Sequence, residues 1–150
     1  MNSVHLVTED TIEDIWPIAR DLVQKALVHS EGAMQTSDVL RCLLNEKFKL
    51  WVGFDEVNPA VLATAVITEV IPYPRHRILR IHTWATASGH DFDVWYEPCV
   101  TQLEYYAKSI DCVALEAWCR KGLAKKLKWY NEYSVVVNYS CLKCCTVGNY

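Results

Sequence analysis

Strand-like and helix-like patterns of hydrophobic residues alternate along this chain of 150 residues. They predict an α/β protein, more closely a mixed α+β fold that contains both antiparallel and parallel strands. Short runs rich in β-branched and aromatic residues are typical of strands, and apolar residues at helical spacing are typical of helices. Strands are predicted at residues 4–7, 49–55, 61–71, 77–86, 112–118 and 133–142. Helices are predicted from Asp10 or Thr11 to Leu27, from a cap at Ser37 or Asp38 to Lys47, and over 93–109 and 121–131. The predicted order is therefore β-α-α-β-β-β-α-β-α-β.

Pro17 lies inside the first helical segment, and its ring lacks the N–H group that a helix needs. Either Asp14 is the N-cap, which places Pro17 in the first turn, or the helix bends at Pro17. The sequence leaves both alternatives open.

The connections between the predicted strands set their directions. The turns marked by Asn58-Pro59 and by Pro72-Tyr73-Pro74 are too short for a crossover, and we predict that the first four strands run antiparallel. The fourth and fifth strands are joined through a helix and must run parallel, and the sixth returns antiparallel. We therefore predict a central mixed six-stranded sheet with helices on both faces.

Residues 87–91 form a short loop between the fourth strand and the third helix. A loop in this position presents free backbone N–H groups and the positive end of a helix, and both favour an anion such as phosphate. The alternative is a turn that only ends the strand. The functional interpretation depends on whether this loop holds a phosphate.

The composition is that of one globular domain, predicted over residues 1–145 with a tail at 146–150. A net charge of −3 implies no general affinity for nucleic acid. No run approaches the roughly 18 apolar residues of a membrane span, and the N-terminus does not resemble a signal peptide. We therefore expect a cytoplasmic protein with no membrane partner.

The seven cysteines are predicted to be reduced, because their number is odd and there is no secretion signal. Cys141, Cys144 and Cys145 are spaced like metal ligands, but there is no second pair of ligands nearby for a tetrahedral zinc site. We predict no metal. Cys112 is predicted to be buried at the start of its strand.

The order of elements resembles the fold of the GNAT acyltransferases across nearly the whole chain. Within that superfamily, the chain resembles short GNAT-like proteins of tailed bacteriophages, which tend to carry a Trp in the third helix, a Cys opening the fifth strand and an Arg-x-Gly after it. The matching residues are Trp84, Ala85, Gly89, Trp95, Tyr106, Ala107, Cys112, Glu116, Arg120, Lys121, Gly122 and Leu127. For a phage-encoded protein the expected compartment is the host cytoplasm.

The resemblance implies that acetyl-CoA lies between the fourth and fifth strands, with its pyrophosphate on the loop before the third helix. The family pattern there is Arg/Gln-x-x-Gly-x-Gly/Ala, whereas residues 86–91 read Thr-Ala-Ser-Gly-His-Asp, so that only Gly89 matches and Asp91 adds an opposing charge. If the loop binds pyrophosphate, Asp91 is expected to turn away, for example to cap the third helix. The implied cofactor-binding residues are Trp84, Ala85, Ser88, Gly89, His90, Asp91, Arg120, Lys121 and Lys125. The alternative for the three basic residues is a solvated helix face.

An amine acceptor must lose a proton, which requires a base. The candidates are Glu69 and His82, on adjacent predicted strands, and Glu116, on the fifth strand. His82 is placed on one face together with Ile78, Arg80 and Trp84. The family's Asn-x-x-Ala-x-x-x-Tyr motif, aligned on Ala124, puts Lys128 at the tyrosine that protonates the leaving thiolate. The alternative for each residue is a structural role.

The resemblance leaves two functions open. The first is an N-acetyltransferase that uses acetyl-CoA and a direct attack by an amine on a small molecule or a protein. The second is a catalytically degenerate GNAT-fold phage protein that acts by protein–protein contact in virion assembly or host interaction. A monomer or a homodimer is expected in either case.

Overall fold

The computed structural model describes residues 2–28, 33–117, 121–127 and 129, with only the backbone described at 121 and 122. Nine of the predicted elements are confirmed there in order and in type, and the sixth predicted strand, residues 133–142, lies outside the described residues. The elements are β1 Val4–Leu6, α1 Ile12–Leu27, α2 Thr36–Leu44, β2 Phe48–Phe54, β3 Leu62–Pro72, β4 Arg77–Thr86, α3 Phe92–Ser109, β5 Cys112–Ala117 and α4 Lys121–Leu127. No helix in this part of the chain is both long and apolar enough to cross a bilayer.

The strands form one five-stranded sheet in the order β1-β2-β3-β4-β5. The first four strands pair antiparallel and β4 pairs parallel with β5, as the connection lengths predict. The crossover through α3 explains the parallel pair, because it returns the chain to the starting end of the sheet.

The helices cover both faces of the sheet, which confirms the prediction. On one face, residues of α1 and α2 pack against Leu50, Val52 and Ile67. On the other, residues of α3 and Leu127 of α4 pack against Trp51 and Val66, among others. Successive residues of a strand therefore pack in cores on opposite faces of the sheet. Each fully buried Leu or Ile contributes roughly 1.5–3 kcal/mol to the free energy of unfolding.

The predicted N-cap of α2 is wrong. Gln35 is the N-cap, and its backbone N–H donates to Asp38 Oδ2 at 2.9 Å in a capping box. Asp38 is therefore the third residue of the helix and not its N-cap. In a capping box the N-cap residue and the third helical residue each satisfy a backbone N–H of the other. The helix also ends earlier than predicted, at Leu44 rather than Lys47.

The start of the first helix shows which of the two alternatives for Pro17 is correct. Thr11 is the N-cap and α1 begins at Ile12, so Pro17 lies inside the helix and beyond its first turn. The alternative in which Asp14 caps the helix is therefore wrong.

Among the described residues, the parallel pairing of β4 with β5 covers the first half of β4. It runs from Arg77↔Cys112 to Ile81↔Ala117, whereas β4 continues to Thr86. Residues 77–81 of β4 are therefore joined to β5 and leave no gap between the two strands. Beyond Ile81, β4 has no β5 partner among the described residues.

Cys112 is 7% exposed at the start of β5, which confirms its predicted burial. Cys42, Cys99 and Cys112 are free thiols. Burial raises the pKa of the Cys99 thiol to about 12, because the apolar surroundings disfavour a thiolate. The other four cysteines lie outside the described residues.

Candidate functional site

A β-bulge in β4 decides which way the candidate base points. Ile67 of β3 pairs with Thr83 and the next residue, Thr68, pairs with Ile81, so His82 is the extra residue. As a result Trp84 joins the core under α3, whereas His82 contacts Phe48 of the core under α1 and α2. The prediction that His82 and Trp84 share a face is wrong, because the bulge breaks the alternation of period two.

His82 and Glu69 form a hydrogen-bonded pair at this bulge. The distance from His82 Nε2 to Glu69 Oε1 is 2.7 Å, and the two side chains are only 19% and 16% exposed. The His82 ring lies 4.7 Å from the Phe48 ring, and Lys47 Nζ is 4.0 Å from Glu69 Oε2. The structure thus brings together two of the three predicted catalytic residues, while Lys128 lies outside the described residues.

A second polar network occupies the same face of the sheet. Arg80 Nε donates to Glu116 Oε1, and Arg80 Nη2 donates to the Tyr73 hydroxyl at 2.9 Å. The Tyr73 hydroxyl in turn donates to Glu116 Oε2 at 3.2 Å. Glu116 is thereby held by an arginine and a phenol, which makes it a poorer candidate for a base than His82.

The loop of residues 87–91 keeps several backbone donors free. Gly89 has a φ of +84°, in the left-handed region that favours glycine, and the His90 N–H closes a turn onto Ala87 O at 3.1 Å. Among the described residues, the N–H groups of Ser88, Gly89 and Phe92 donate to no acceptor. These donors and the N-terminus of the 18-residue helix α3 thus lie within one short stretch of the chain.

Asp91 is the N-cap of α3, and its side chain accepts a hydrogen bond from Asp93 N at 3.0 Å. This is the orientation that a phosphate on the loop requires of Asp91. Its negative charge remains close to the free donors, and Asp93 adds a second one in the first turn.

His90 fastens the loop to the turn after β2. Its Nε2 atom is 2.7 Å from Asp55 Oδ2. This hydrogen bond, together with backbone N–H donors from Asn58 and Val57, lowers the pKa of the Asp55 carboxyl. The His90–Asp55 hydrogen bond, which joins residues 35 positions apart in the sequence, holds the loop in place. The sequence around either residue does not predict this contact.

Two lysines that the sequence did not single out flank the loop. Lys25 Nζ of α1 donates to Thr86 O at 3.4 Å, at the end of β4. Lys126 Nζ of α4 lies 5.5 Å from the centroid of the Phe92 ring, at the first position of α3. Of the predicted basic residues, Lys125 is exposed, the Lys121 side chain is not described, and Arg120 lies outside the described residues.

Unpartnered buried polar atoms concentrate on this segment. Within the described part of the chain, they are Thr83 Oγ1, Trp84 Nε1, Thr86 Oγ1 and His90 Nδ1. Thr83 and Trp84 are 8% and 6% exposed. Buried polar groups are normally hydrogen-bonded, so a run of exceptions on one segment indicates a place for a polar ligand or water.

Two open grooves lie away from this segment. One of about 410 Å³ runs along β5 and α3 beside Cys112 and Trp129, and one of about 600 Å³ lies between β1 and α3 beside Tyr105. Neither is lined by His82 or by the loop. We place the candidate site at the second half of β4 because the chemistry-bearing residues are there.

Comparison with solved structures shows the same fold at low sequence identity. A ribosomal-protein-alanine N-acetyltransferase from Brucella melitensis biovar Abortus is 12% identical, with a TM-score of 0.67 over 92% of this chain and 98% of that chain. An aminoglycoside acetyltransferase from an uncultured soil metagenomic sample, in complex with sisomicin, is 13% identical, with a TM-score of 0.66 over 92% and 94%. A predicted acetyltransferase from Clostridium acetobutylicum, with acetyl-CoA, is 13% identical, with a TM-score of 0.63 over 93% and 97%.

The chain therefore has the fold of the GNAT acetyltransferases. No protein-family model and no curated protein matches its sequence. At these identities the likeness establishes the fold alone, and the chemistry must be argued from the residues of this chain.

Proposed function

We propose that this protein is an acetyl-CoA-dependent N-acetyltransferase whose acceptor is an amine on a small molecule or a protein. The observation that carries the proposal is the run of unpartnered buried polar atoms at Thr83, Trp84, Thr86 and His90. Each such group costs roughly 1–3 kcal/mol when it stays unpaired. A ligand rich in amide and phosphate oxygens, laid along this segment, offsets that cost.

In this proposal the phosphates of acetyl-CoA lie against the loop. The free N–H groups of Ser88, Gly89 and Phe92 act as donors. Lys25 and Lys126 supply the positive charge that an Arg at the first position of the family pattern would bring. Arg120, Lys121 and Lys125 remain additional candidates for the same role.

The rest of the cofactor would follow the second half of β4. Trp84 and Ala85 lie there on opposite faces of the sheet, Trp84 in the core under α3 and Ala85 in the core under α1. His90 and Asp91 fix the loop through Asp55 and through the helix cap. The described residues thus offer donors from the bulge at His82 to the first turn of α3.

His82 is the base in this proposal, and Glu69 positions it. When the Nε2–H group donates to the Glu69 carboxylate, the lone pair lies on Nδ1, which is the atom that takes a proton from the amine. The carboxylate also stabilises the imidazolium that forms. General bases of this kind contribute typically 10²–10⁴-fold to the rate.

Acetyl-CoA would supply an acetyl thioester, so that the C–N bond forms at the acetyl carbon as the C–S bond breaks. The proton of the amine moves to His82 Nδ1. The sulfur must gain a proton as it leaves, and we assign that role to Lys128, as the family motif implies. The step needs no covalent bond to the enzyme.

A second function is favoured by a different observation. Asp91 is the N-cap of α3, Asp93 lies in the first turn, and Asp55 is joined to the loop through His90. Three carboxylates close to a phosphate-binding loop oppose a pyrophosphate. They fit a GNAT-fold phage protein that has lost acetyl-CoA and acts by protein contact in virion assembly or host interaction.

Calorimetric titration with acetyl-CoA distinguishes the two functions. We expect binding, and at ~100 times the dissociation constant a stabilisation of roughly 2.7 kcal/mol in a thermal melt. S-acetyl-pantetheine, which lacks the nucleotide phosphates, is the matched ligand and should bind more weakly. Absence of binding in the wild type together with binding by Asp91→Asn indicates the second function, because only the opposing charge then blocks the site.

A further inference from the structure

Arg80, Glu116 and Tyr73 connect three parts of the fold on the face that carries His82. Arg80 belongs to β4, Glu116 to β5, and Tyr73 to the turn between β3 and β4. Arg80 lies opposite Glu69 in the register of β3 and β4, and Glu69 is bonded to His82. Opposite residues of an antiparallel pair share a face, so this network, called here the Arg80 clamp, lies beside the proposed base.

The Arg80 clamp lies next to the last pair of β4 with β5 among the described residues. Arg80 and Glu116 are register partners, and the described ladder has one further pair, Ile81 with Ala117. β4 then runs on from His82 to Thr86 without a β5 partner among the described residues. The clamp therefore joins β4 to β5 two residues before the proposed base.

The chemistry of the clamp differs from that of the rest of the ladder. The neighbouring pairs are apolar, as in Leu79 with Leu115 and Ile81 with Ala117. The Arg80 and Glu116 side chains are only 14% and 25% exposed, so both charges are largely removed from water. Apolar pairs of similar size often match or exceed the stability of such a buried ion pair, so stability alone does not explain the clamp.

We propose that Arg80, Glu116 and Tyr73 are positioning residues that hold β5 and the β3–β4 turn against β4 and thereby set the distance between the acetyl donor and His82. The inference rests on the proposed function, because it concerns the same site. Tyr73 accepts from Arg80 and donates to Glu116, which ties the β3–β4 turn to the paired residues of β4 and β5. His82 follows Arg80 by two residues, so a shift of Arg80 moves the base.

The first test uses the cofactor-free protein and does not depend on catalysis. Tyr73→Phe and Glu116→Gln keep the shape of each side chain and remove hydrogen bonds of the clamp. We expect amide hydrogen exchange at Ile81 and Ala117 to accelerate about tenfold or more, since local opening becomes easier. Arg41→Met, which removes an exposed ion pair with Asp38 in α2, is the control and should leave these amides unchanged.

The second test separates positioning from packing. The double variant Arg80→Met with Glu116→Leu replaces the charges with apolar side chains, and its melting temperature should equal or exceed that of the wild type. We expect kcat to stay at least about tenfold lower with KM for acetyl-CoA within about twofold, because a small misplacement of reacting groups costs rate rather than binding. A double variant with wild-type kcat overturns the inference.

The outcomes distinguish this inference from the proposed function. Unchanged exchange at Ile81 and Ala117 in Tyr73→Phe and Glu116→Gln refutes the clamp, even if the wild type acetylates amines. A wild type that binds no acetyl-CoA refutes the proposed function and with it the catalytic role of the clamp, whatever the exchange rates are. Faster exchange together with a lower kcat at constant KM supports both.

Discussion

His82 Nε2 lies 2.7 Å from Glu69 Oε1, across neighbouring strands and at the one place where β3 and β4 fall out of register. The β-bulge turns His82 away from Trp84 and onto the face shared with Glu69 and Phe48. A histidine with one nitrogen held by a carboxylate has its tautomer and orientation set before a substrate arrives.

This geometry makes His82 the first residue to test. His82→Gln should lower kcat at least about 100-fold, because the proton of the amine then has no acceptor, while acetyl-CoA binding stays within about twofold. Steady-state kinetics and calorimetry measure the two quantities. His5→Gln, at an exposed position of β1, is the control. A decrease in kcat of less than threefold in His82→Gln would show that His82 has a structural role only.

The charge of Asp91 should weaken cofactor binding even though its side chain caps α3. Asp91→Asn keeps a good N-cap and removes the negative charge beside the free N–H groups. We expect acetyl-CoA to bind several-fold more tightly at low salt, with the gain shrinking as ionic strength rises. Asp21→Asn on α1 is the control. Equal affinity of Asp91→Asn and wild type would place the phosphates elsewhere.

The two lysines at the loop should contribute more to binding than Lys125. Lys126→Met and Lys25→Met each remove a positive charge beside residues 86–92 and should weaken acetyl-CoA binding, by about three- to tenfold at low salt. Lys125→Met, one position away on the same helix, is the matched control. A larger loss in Lys125→Met than in Lys126→Met would contradict the assignment.

The hydrogen bond between Asp55 and His90 makes the loop sensitive to acid. Because the pKa of Asp55 is lowered in the folded state, the stabilisation is present above its unfolded value of about 3.9 and is lost as the pH falls through the lower folded value. Thermal melts of wild type and Asp55→Asn should therefore differ at pH 6, and the difference should shrink as the pH falls below the unfolded value. A constant difference across that range, with Asp10→Asn as control, would exclude the titration of Asp55 as the cause.

Cys99 should resist alkylation in the folded protein. Its thiol is fully buried with a pKa raised to about 12, whereas Cys42 is half-buried and more accessible. Iodoacetamide at pH 8 should label Cys42 before Cys99, which should react only on unfolding, because the thiolate is the reactive form. Mass spectrometry of the labelled peptides measures both rates, and similar rates would mean that the core opens readily.

The elements and their directions could be read from the sequence because they depend on local spacing. Period-two and helical repeats locate nine elements, and the lengths of the connections determine which strands are antiparallel. The same local rules place residues 87–91 at the end of β4 and before α3, with glycine at the position of positive φ. The sequence also identified Glu69 and His82 as candidates, from residue type and adjacent strands.

Only the tertiary structure decided which of these residues meet. Regular alternation cannot reveal the bulge, so the orientation of His82 relative to Trp84 was predicted wrongly. The contacts His90–Asp55 and Arg80–Glu116 span 35 and 36 residues, and Lys25 reaches Thr86 across 61. Such contacts depend on how strands and helices pack in three dimensions, and a pattern within one segment carries no information about them.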